Sequence, residues 1–200
     1  AFLVFRNQGI EYSVIETGIG GRLDATNVIL PEVSVITPIE LEHKEMLGNT
    51  IAEIAGEKAG IIKKSIPVIS AHQLPEAEKT LRSYAEHMNA RFLSVDEEIR
   101  NTDWKMVDNK SCISVTFADY TNLSFTSRLY GNYQAENAGL ASLSVRTLFP
   151  EMDSAVIERG FSKAALPGRF EILSQDPCII ADAAHTPGSI KRLFESISIF

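Results

Sequence analysis

The run Glu16-Thr17-Gly18-Ile19-Gly20-Gly21-Arg22-Leu23-Asp24-Ala25-Thr26-Asn27 places an acid and three glycines directly after the apolar stretch Tyr12-Ser13-Val14-Ile15. In open α/β sheets, ligands bind beyond the carboxyl ends of the strands. Glycines at that edge let the backbone approach a ligand closely or adopt positive φ. The run is not a P-loop, because no Gly-Lys-Ser/Thr follows it. A solvated Glu in a glycine-rich turn is the plain alternative. His43 lies a few residues past a second apolar run that ends at Thr37. A lone His is more often structural or exposed, but a place after a strand end makes it a candidate ligand near Glu16.

Lys58 is the most informative residue on physical grounds. The helix that follows Thr50 carries Ile51, Ile54, Ala55, Lys58 and Ile62 at offsets i, i+3, i+4, i+7 and i+11. This stripe turns Lys58 inward, while Glu57 and Lys63 point elsewhere. Burying an unpaired ammonium is costly, so such a lysine is paired, snorkelling or neutral. A neutral amine is a nucleophile, and with carbon dioxide it gives a carbamate, which turns an inward cation into an inward carboxylate. A salt bridge to an inward acid such as Glu16 remains the simpler reading.

Asp182-Ala183-Ala184-His185-Thr186-Pro187-Gly188 follows another apolar run. An Asp at a strand end can meet a ribose or a metal, or simply cap the next helix. Arg169, in Pro167-Gly168-Arg169, could clamp a phosphate bidentately or stand exposed between domains. Gln134 and Asn137 share one face at a helix start, where they could read a base edge or cap the helix.

The elements that position these residues alternate. Tyr12–Glu16, Val33–Thr37, Pro67–Ser70 and Arg91–Val95 read as strands. Helices span roughly 51–63, opened by a Thr50/Glu53 capping box, and 75–89. Strand–helix alternation implies an α/β fold, a mostly parallel sheet flanked by helices. After residue 96 the pattern changes: Ile113, Val115 and Phe117, then Leu123, Phe125 and Leu129, alternate with polar residues as in an antiparallel hairpin with one wet face. Helices return at about 133–148 and 152–164. Leu166-Pro167-Gly168-Arg169 divides domain 1–166 from 167–200, where Cys178–Asp182 reads as a buried strand and a helix from about Gly188 opens a second α/β domain.

The chain has 200 residues, 44% hydrophobic and 22% charged, which excludes disordered and collagen-like classes. Its net charge of -7 argues against sequence-independent nucleic-acid binding. No apolar run reaches the ~20 residues that span a bilayer. Two distant cysteines, Cys112 and Cys178, fit a reducing cytoplasm. The chain opens and closes inside apolar patterns, so it is expected to be an internal piece of a longer protein.

Taken together, these stretches resemble one family. Glu16 to Asn27 resembles its E-x-G-x-G-G-R-L-D-A-T-N signature. His43 with Leu47-Gly48, Glu57-Lys58-Ala59-Gly60-Ile61-Ile62-Lys63, Pro167-Gly168-Arg169-Phe170-Glu171 and Asp182-Ala183-Ala184-His185 resemble its later motifs in order and spacing. The family is folylpolyglutamate synthase / dihydrofolate synthase, within the Mur ligase superfamily. The resemblance implies the P-loop-type Mur ligase central domain, here without its P-loop, an antiparallel β subdomain and the start of a C-terminal α/β domain.

It further implies an ATP-dependent amide ligase in which a substrate carboxylate becomes an acyl phosphate and glutamate displaces phosphate. By the resemblance, Glu16, His43 and Lys58 are catalytic, Glu16 and His43 ligate Mg2+, and Lys58 is carbamylated. Gly21, Arg22 and Asp24 contact the folate or dihydropteroate substrate. Gln134 and Asn137 face the adenine of ATP, and Arg169, Asp182 and His185 reach the nucleotide from the second domain. The partners implied are these small molecules, with neither nucleic acid nor membrane, in a cytoplasmic monomer. Glu42, Thr186, Tyr133 and Thr17 depart from the family's usual Asp, Asn, His and Val. The missing P-loop implies that the isolated 200 residues do not ligate. Another Mur-type ligase, or a relative that binds nucleotide without turnover, are the competing readings.

Overall fold

The structure, a computed structural model, describes residues 1–108 and 110–198. Its elements are helix α1 (Phe2–Asn7), strand β1 (Ser34–Ile36), helices α2 (Lys44–Leu47) and α3 (Ile51–Lys58), β2 (Val68–Ser70), α4 (Pro75–His87), β3 (Phe92–Ser94), α5 (Val95–Glu98), β4 (Ile99–Val107), β5 (Lys110–Phe117), β6 (Asn122–Ser127), α6 (Asn132–Leu148), α7 (Ser154–Lys163), β7 (Glu171–Gln175), β8 (Cys178–Ala181) and α8 (Pro187–Ile197). β1, β2 and β3 form a parallel sheet in that order; β4, β5 and β6 form an antiparallel one; β7 pairs with β8. The fold class is therefore α/β, as the alternation implied. The chain divides into two compact units, Ala1–Val68 with Gln73–Arg91, and Ile69–His72 with Phe92–Phe200.

In the first unit α3 begins where the sequence places it. The Thr50 hydroxyl accepts from the Glu53 N–H, and the Glu53 carboxylate accepts from the Thr50 and Asn49 N–H groups. This reciprocal cap satisfies donors that the first helical turn leaves open. Ile51, Ile54 and Ala55 form the buried stripe of α3, and Ala77, Leu81 and Ala85 that of α4. Burying each large side chain contributes roughly 1.5–3 kcal/mol. Pro75 opens α4, where its missing N–H costs nothing. Gln73, 5% exposed, donates to the Thr37 carbonyl and accepts from the Ile39 N–H. It thereby fixes the chain leaving β1 on its way to His43.

In the second unit, β5 and β6 bury alternate residues, Ile113, Val115 and Phe117 against Leu123 and Phe125. The expected wet-faced hairpin is thus present, and β4 adds a third strand on the other side of β5. Trp104 donates to Ser111, whose hydroxyl donates to the Leu129 carbonyl, so this buried polar chain is satisfied. α7 covers β6 through Phe125 and Phe161, stacked at 4.8 Å.

Two expectations fail. Tyr12–Glu16 is no buried strand: Tyr12 is 68% and Val14 101% exposed. Apolar spacing marks a strand only when a neighbour supplies the ladder, and the sheet takes this segment on neither edge. Cys178–Ala181 is a strand but not a buried one. It pairs antiparallel with β7 alone among the described residues, leaving Cys178 and Ile179 exposed. α5 and β4 were not anticipated from the sequence. In β4 only Trp104 is fully buried; Thr102 and Met106 are half-buried between exposed Asp103, Lys105 and Val107, a short period-2 alternation that the sequence reading did not use.

Candidate active site

In the first unit the glycine-rich loop is seated on the helices that carry His43 and Lys58. Gly20 is buried at φ +70°, and a Cβ there would come within 2.8 Å of Leu47 in α2. A Cβ on Gly21 would lie 2.9 Å from the Lys58 carbonyl oxygen and 3.0 Å from that of Glu57. On the facing side, a Cβ on Gly60 would strike the backbone of Arg22. The absent side chains of Gly21 and Gly60 thus permit backbone-to-backbone contact, and that of Gly20 makes room for the Leu47 side chain.

Arg22 completes the seat. Its N–H donates to the Glu57 carbonyl at 2.9 Å, and its guanidinium donates to the Gly56 carbonyl at 3.1 Å and the Tyr84 hydroxyl at 2.5 Å. Nε stands 3.3 Å from the Glu57 carboxylate. A cation at a helix C-terminus meets carbonyls that lack helical partners and the negative end of the dipole. Tyr84, and after it Glu57, raise the guanidinium pKa. In this structure Arg22 is thus committed to α3, and Gly21 to close approach.

Asp24 is committed too. Its carboxylate accepts from the N–H groups of Gly18, Ile19 and Thr26 and from the Thr26 hydroxyl, and it caps the 3-10 turn Ala25–Val28. The Thr26 hydroxyl and then the Thr26 N–H hold its pKa down at about 2. Asn27 donates to the Arg22 and Gly60 carbonyls, a further tie between loop and α3.

Glu16 and His43 are exposed and have no side-chain hydrogen bond or ion pair among the described residues. His43 sits at φ 50°, left-handed, and its carbonyl starts α2 by accepting from Met46 and Leu47. A non-glycine residue held there marks a constrained site. Lys58 ends α3, partly buried, with no carboxylate partner among the described residues. The simple salt bridge is therefore not made. Among the described residues no group of three or more His, Cys, Asp or Glu could hold a metal ion. Glu16 and His43 offer one oxygen donor and one nitrogen donor. Together they could supply at most part of an Mg2+ shell, the rest of which waters and phosphate oxygens would have to complete.

In the second unit another group gathers. Gln134, 2% exposed at the start of α6, accepts from the exposed Asn137 at 3.4 Å. Next to it, burial and the charge of Asp182 push the Tyr133 hydroxyl pKa up, while the Gln134 side chain and Arg169 pull it back. Asp182 accepts from the Phe170 and Ala184 N–H groups, each at 2.7 Å. Arg169 is exposed. His185 Nδ1 lies 2.9 Å from the Ala183 carbonyl, which can only accept. Nδ1 therefore donates to that carbonyl, and Nε2 takes no part in this bond. Thr186 caps α8 together with Ser189.

Residues 1–145 match the model of the Mur ligase middle domain. The chain belongs to that family. It is 36% identical over 202 residues to the dihydrofolate synthase/folylpolyglutamate synthase of Bacillus subtilis, covering 98% of this chain and 47% of that protein. A Mycobacterium tuberculosis folylpolyglutamate synthase complexed with ADP and AMPPCP superimposes with TM-score 0.90 at 32% identity, over 98% of this chain and 46% of the other. A folylpolyglutamate synthase–AMPPCP–folate complex does so with TM-score 0.91 at 31% identity, over 98% and 49%. The chain spans about half the length of the Mur ligase relatives it matches.

Sequence reasoning missed Glu57, Tyr84, Gln73 and Phe170 as supports of the site. Only the Gly20-Gly21 and Gly60 positions signalled a close approach, without naming its other side.

Gly60→Ala is expected to destabilise the full-length protein by about 1–3 kcal/mol, because the backbone of Arg22 cannot give way. Gly56→Ala, whose Cβ meets nothing within 4 Å, should not. Urea midpoints of the two variants test this.

Asp24 supplies stability that is complete above its unfolded pKa of about 3.9 and lost as pH falls through about 2. The gap in unfolding temperature between wild type and Asp24→Asn should therefore shrink from pH ~4 to pH ~2.

Proposed function

We propose that the protein carrying this chain is an ATP-dependent ligase that joins L-glutamate to folate or dihydropteroate. The observation that carries this reading is the seat of the Glu16–Asn27 loop on the end of α3, which gives Gly21 and Arg22 of the family signature a physical reason. In the reaction, the substrate carboxylate attacks the γ-phosphorus of ATP and ADP leaves. The acyl phosphate so formed is then attacked by the amine of glutamate. Phosphate departs, the amine proton is released, and an amide remains.

Each group of residues has a task in this scheme. Glu16 and His43 would hold Mg2+, which when bound neutralises phosphate charge. Lys58, unpaired and partly buried, is suited to react with carbon dioxide, placing a carbamate at the end of α3. Gly21, Arg22 and Asp24 shape the loop on which the pterin substrate is received. Gln134 and Asn137 face the adenine, and Arg169, Asp182 and His185 serve the rest of the nucleotide. Residues 1–166 form the middle domain and 167–200 open the C-terminal one. The protein works as a cytoplasmic monomer. Among the described residues, no helix is long and apolar enough to cross a membrane.

With the full-length protein, ADP release should depend on both glutamate and a pterin carboxylate. Release that needs neither, or that answers only to other amine acceptors, contradicts the assignment. Lys58→Ala should lower turnover about 100-fold or more. It should also abolish the carbamate carbon resonance seen with 13C-bicarbonate in the wild type.

A further inference from the structure

His43 stands on a short stretch of chain that is fixed at both ends. On one side, Gln73 clamps the exit from β1. Its side-chain nitrogen donates to the Thr37 carbonyl at 2.9 Å, and its side-chain oxygen accepts from the Ile39 N–H at 3.0 Å. The two bonds bracket Pro38, which has no N–H to donate. The clamp is buried, with Gln73 5% and Ile39 3% exposed. On the other side, α2 ends at Gly48, φ +119°, where a Cβ would strike Glu53 of α3. The Leu47 side chain fills the space that a Cβ on Gly20 would need. Glu40, Leu41 and Glu42 separate Ile39 from His43, and the Glu42 N–H turns back to the Glu40 carbonyl at 2.9 Å. His43 completes this short connection in the left-handed region, at φ 50°. A residue other than glycine stays there only where its surroundings impose it.

We propose that Gln73 is a positioning residue for His43: by clamping Thr37 and Ile39 it imposes the left-handed bend at His43 and so sets where the imidazole stands. The inference rests on the metal-ligand role given to His43 in the proposed function, and it extends that role to a residue that offers no ligand itself. Gln73 is buried with both ends of its amide on the backbone, so it acts through the chain. An amide suits the position because it donates and accepts at once, which neither a carboxylate nor an alkyl chain of similar length does. Without it the Ile39 N–H would be left buried and unpaired. His43 has no side-chain hydrogen bond among the described residues, so its place is set by the backbone that carries it. A ligand held in this way depends on its supports for the geometry it offers.

The test follows the imidazole nitrogens of the full-length protein by 15N NMR, first without metal and then with Mn2+ and AMPPCP as the probe. Gln73→Met keeps the bulk of the side chain and removes both bonds. Gln73→Glu keeps the acceptor for the Ile39 N–H and loses the donor to Thr37. Leu81→Val, in the buried stripe of α4, loosens the same unit at another place. Without metal, the His43 resonances should move in Gln73→Met, move less in Gln73→Glu, and stay in Leu81→Val. With Mn2+ and AMPPCP, the His43 signal of the wild type should broaden, and the Mn2+ dissociation constant should rise about 10-fold in Gln73→Met. The apparent KM for Mg2+ should rise with it, while kcat at saturating Mg2+ changes little.

His43 resonances that stay in place in Gln73→Met overturn the proposal. An equal shift in Leu81→Val overturns it as well, because any loosening of the unit would then do the same. Hydrogen exchange on the wild type needs no variant to fold. The Ile39 amide should be protected, and free exchange there removes the clamp. A wild type whose His43 signal ignores Mn2+ contradicts the metal role of His43, whereas the metal-free shift in Gln73→Met still decides the clamp.

Discussion

The first unit depends on one close approach of two backbones. Gly21 on one side and Gly60 on the other leave no room for a Cβ, so the loop after Glu16 lies directly on the end of α3. That turn has carbonyls without helical partners, and Arg22 answers them with its N–H and its guanidinium. The contact is made of backbone and cannot be relaxed by a change of rotamer. Lys58 stands at the same turn, and Leu47 of α2, four residues past His43, closes against Gly20. Lys58 and the helix that follows His43 are thus tied to the loop by its backbone, while the side chains of Glu16, His43 and Lys58 are themselves exposed or half-buried.

A second device recurs. Two aspartates that sit beside candidate ligands use their carboxylates on backbone N–H groups. Asp24 ties Gly18 and Ile19 to the 3-10 turn that follows, and Asp182 ties Phe170 to Ala184. Charge-assisted bonds of this kind are stronger than neutral ones and specify a single loop shape. Gln73 does the same work without charge, bridging Thr37 and Ile39 from a buried position. Loops that must meet a substrate are in this way made as definite as the elements they join.

Much of this was legible in the sequence where burial is strong. The apolar runs at 34–36, 68–70 and 92–94 became the sheet, and the Thr50/Glu53 box starts α3 at the expected residue. The alternation at 113–125 became β5 and β6. Legibility ended where apolar spacing was not matched by burial. Val14 faces solvent despite its strand-like neighbours, and β4 is a strand because β5 offers it a ladder, with Trp104 its one buried residue. The glycines of the site could be read as close-approach positions, but their partners Glu57, Tyr84 and Arg22 are far apart along the chain. The positive φ of Phe170 is invisible in sequence, since nothing about a phenylalanine announces it.

The central claim is that the seated loop and the end of α3 present Glu16, His43 and a modified Lys58 to one divalent cation. A crystal structure of the full-length protein with Mg2+, AMPPCP and folate tests it most directly. The account predicts the Glu16 carboxylate and the His43 imidazole on the ion, a carbamate on Lys58, and Gly21 still in contact with the Glu57 and Lys58 carbonyls. An ion held by other side chains, with the loop lifted from α3 and an unmodified Lys58, would contradict it.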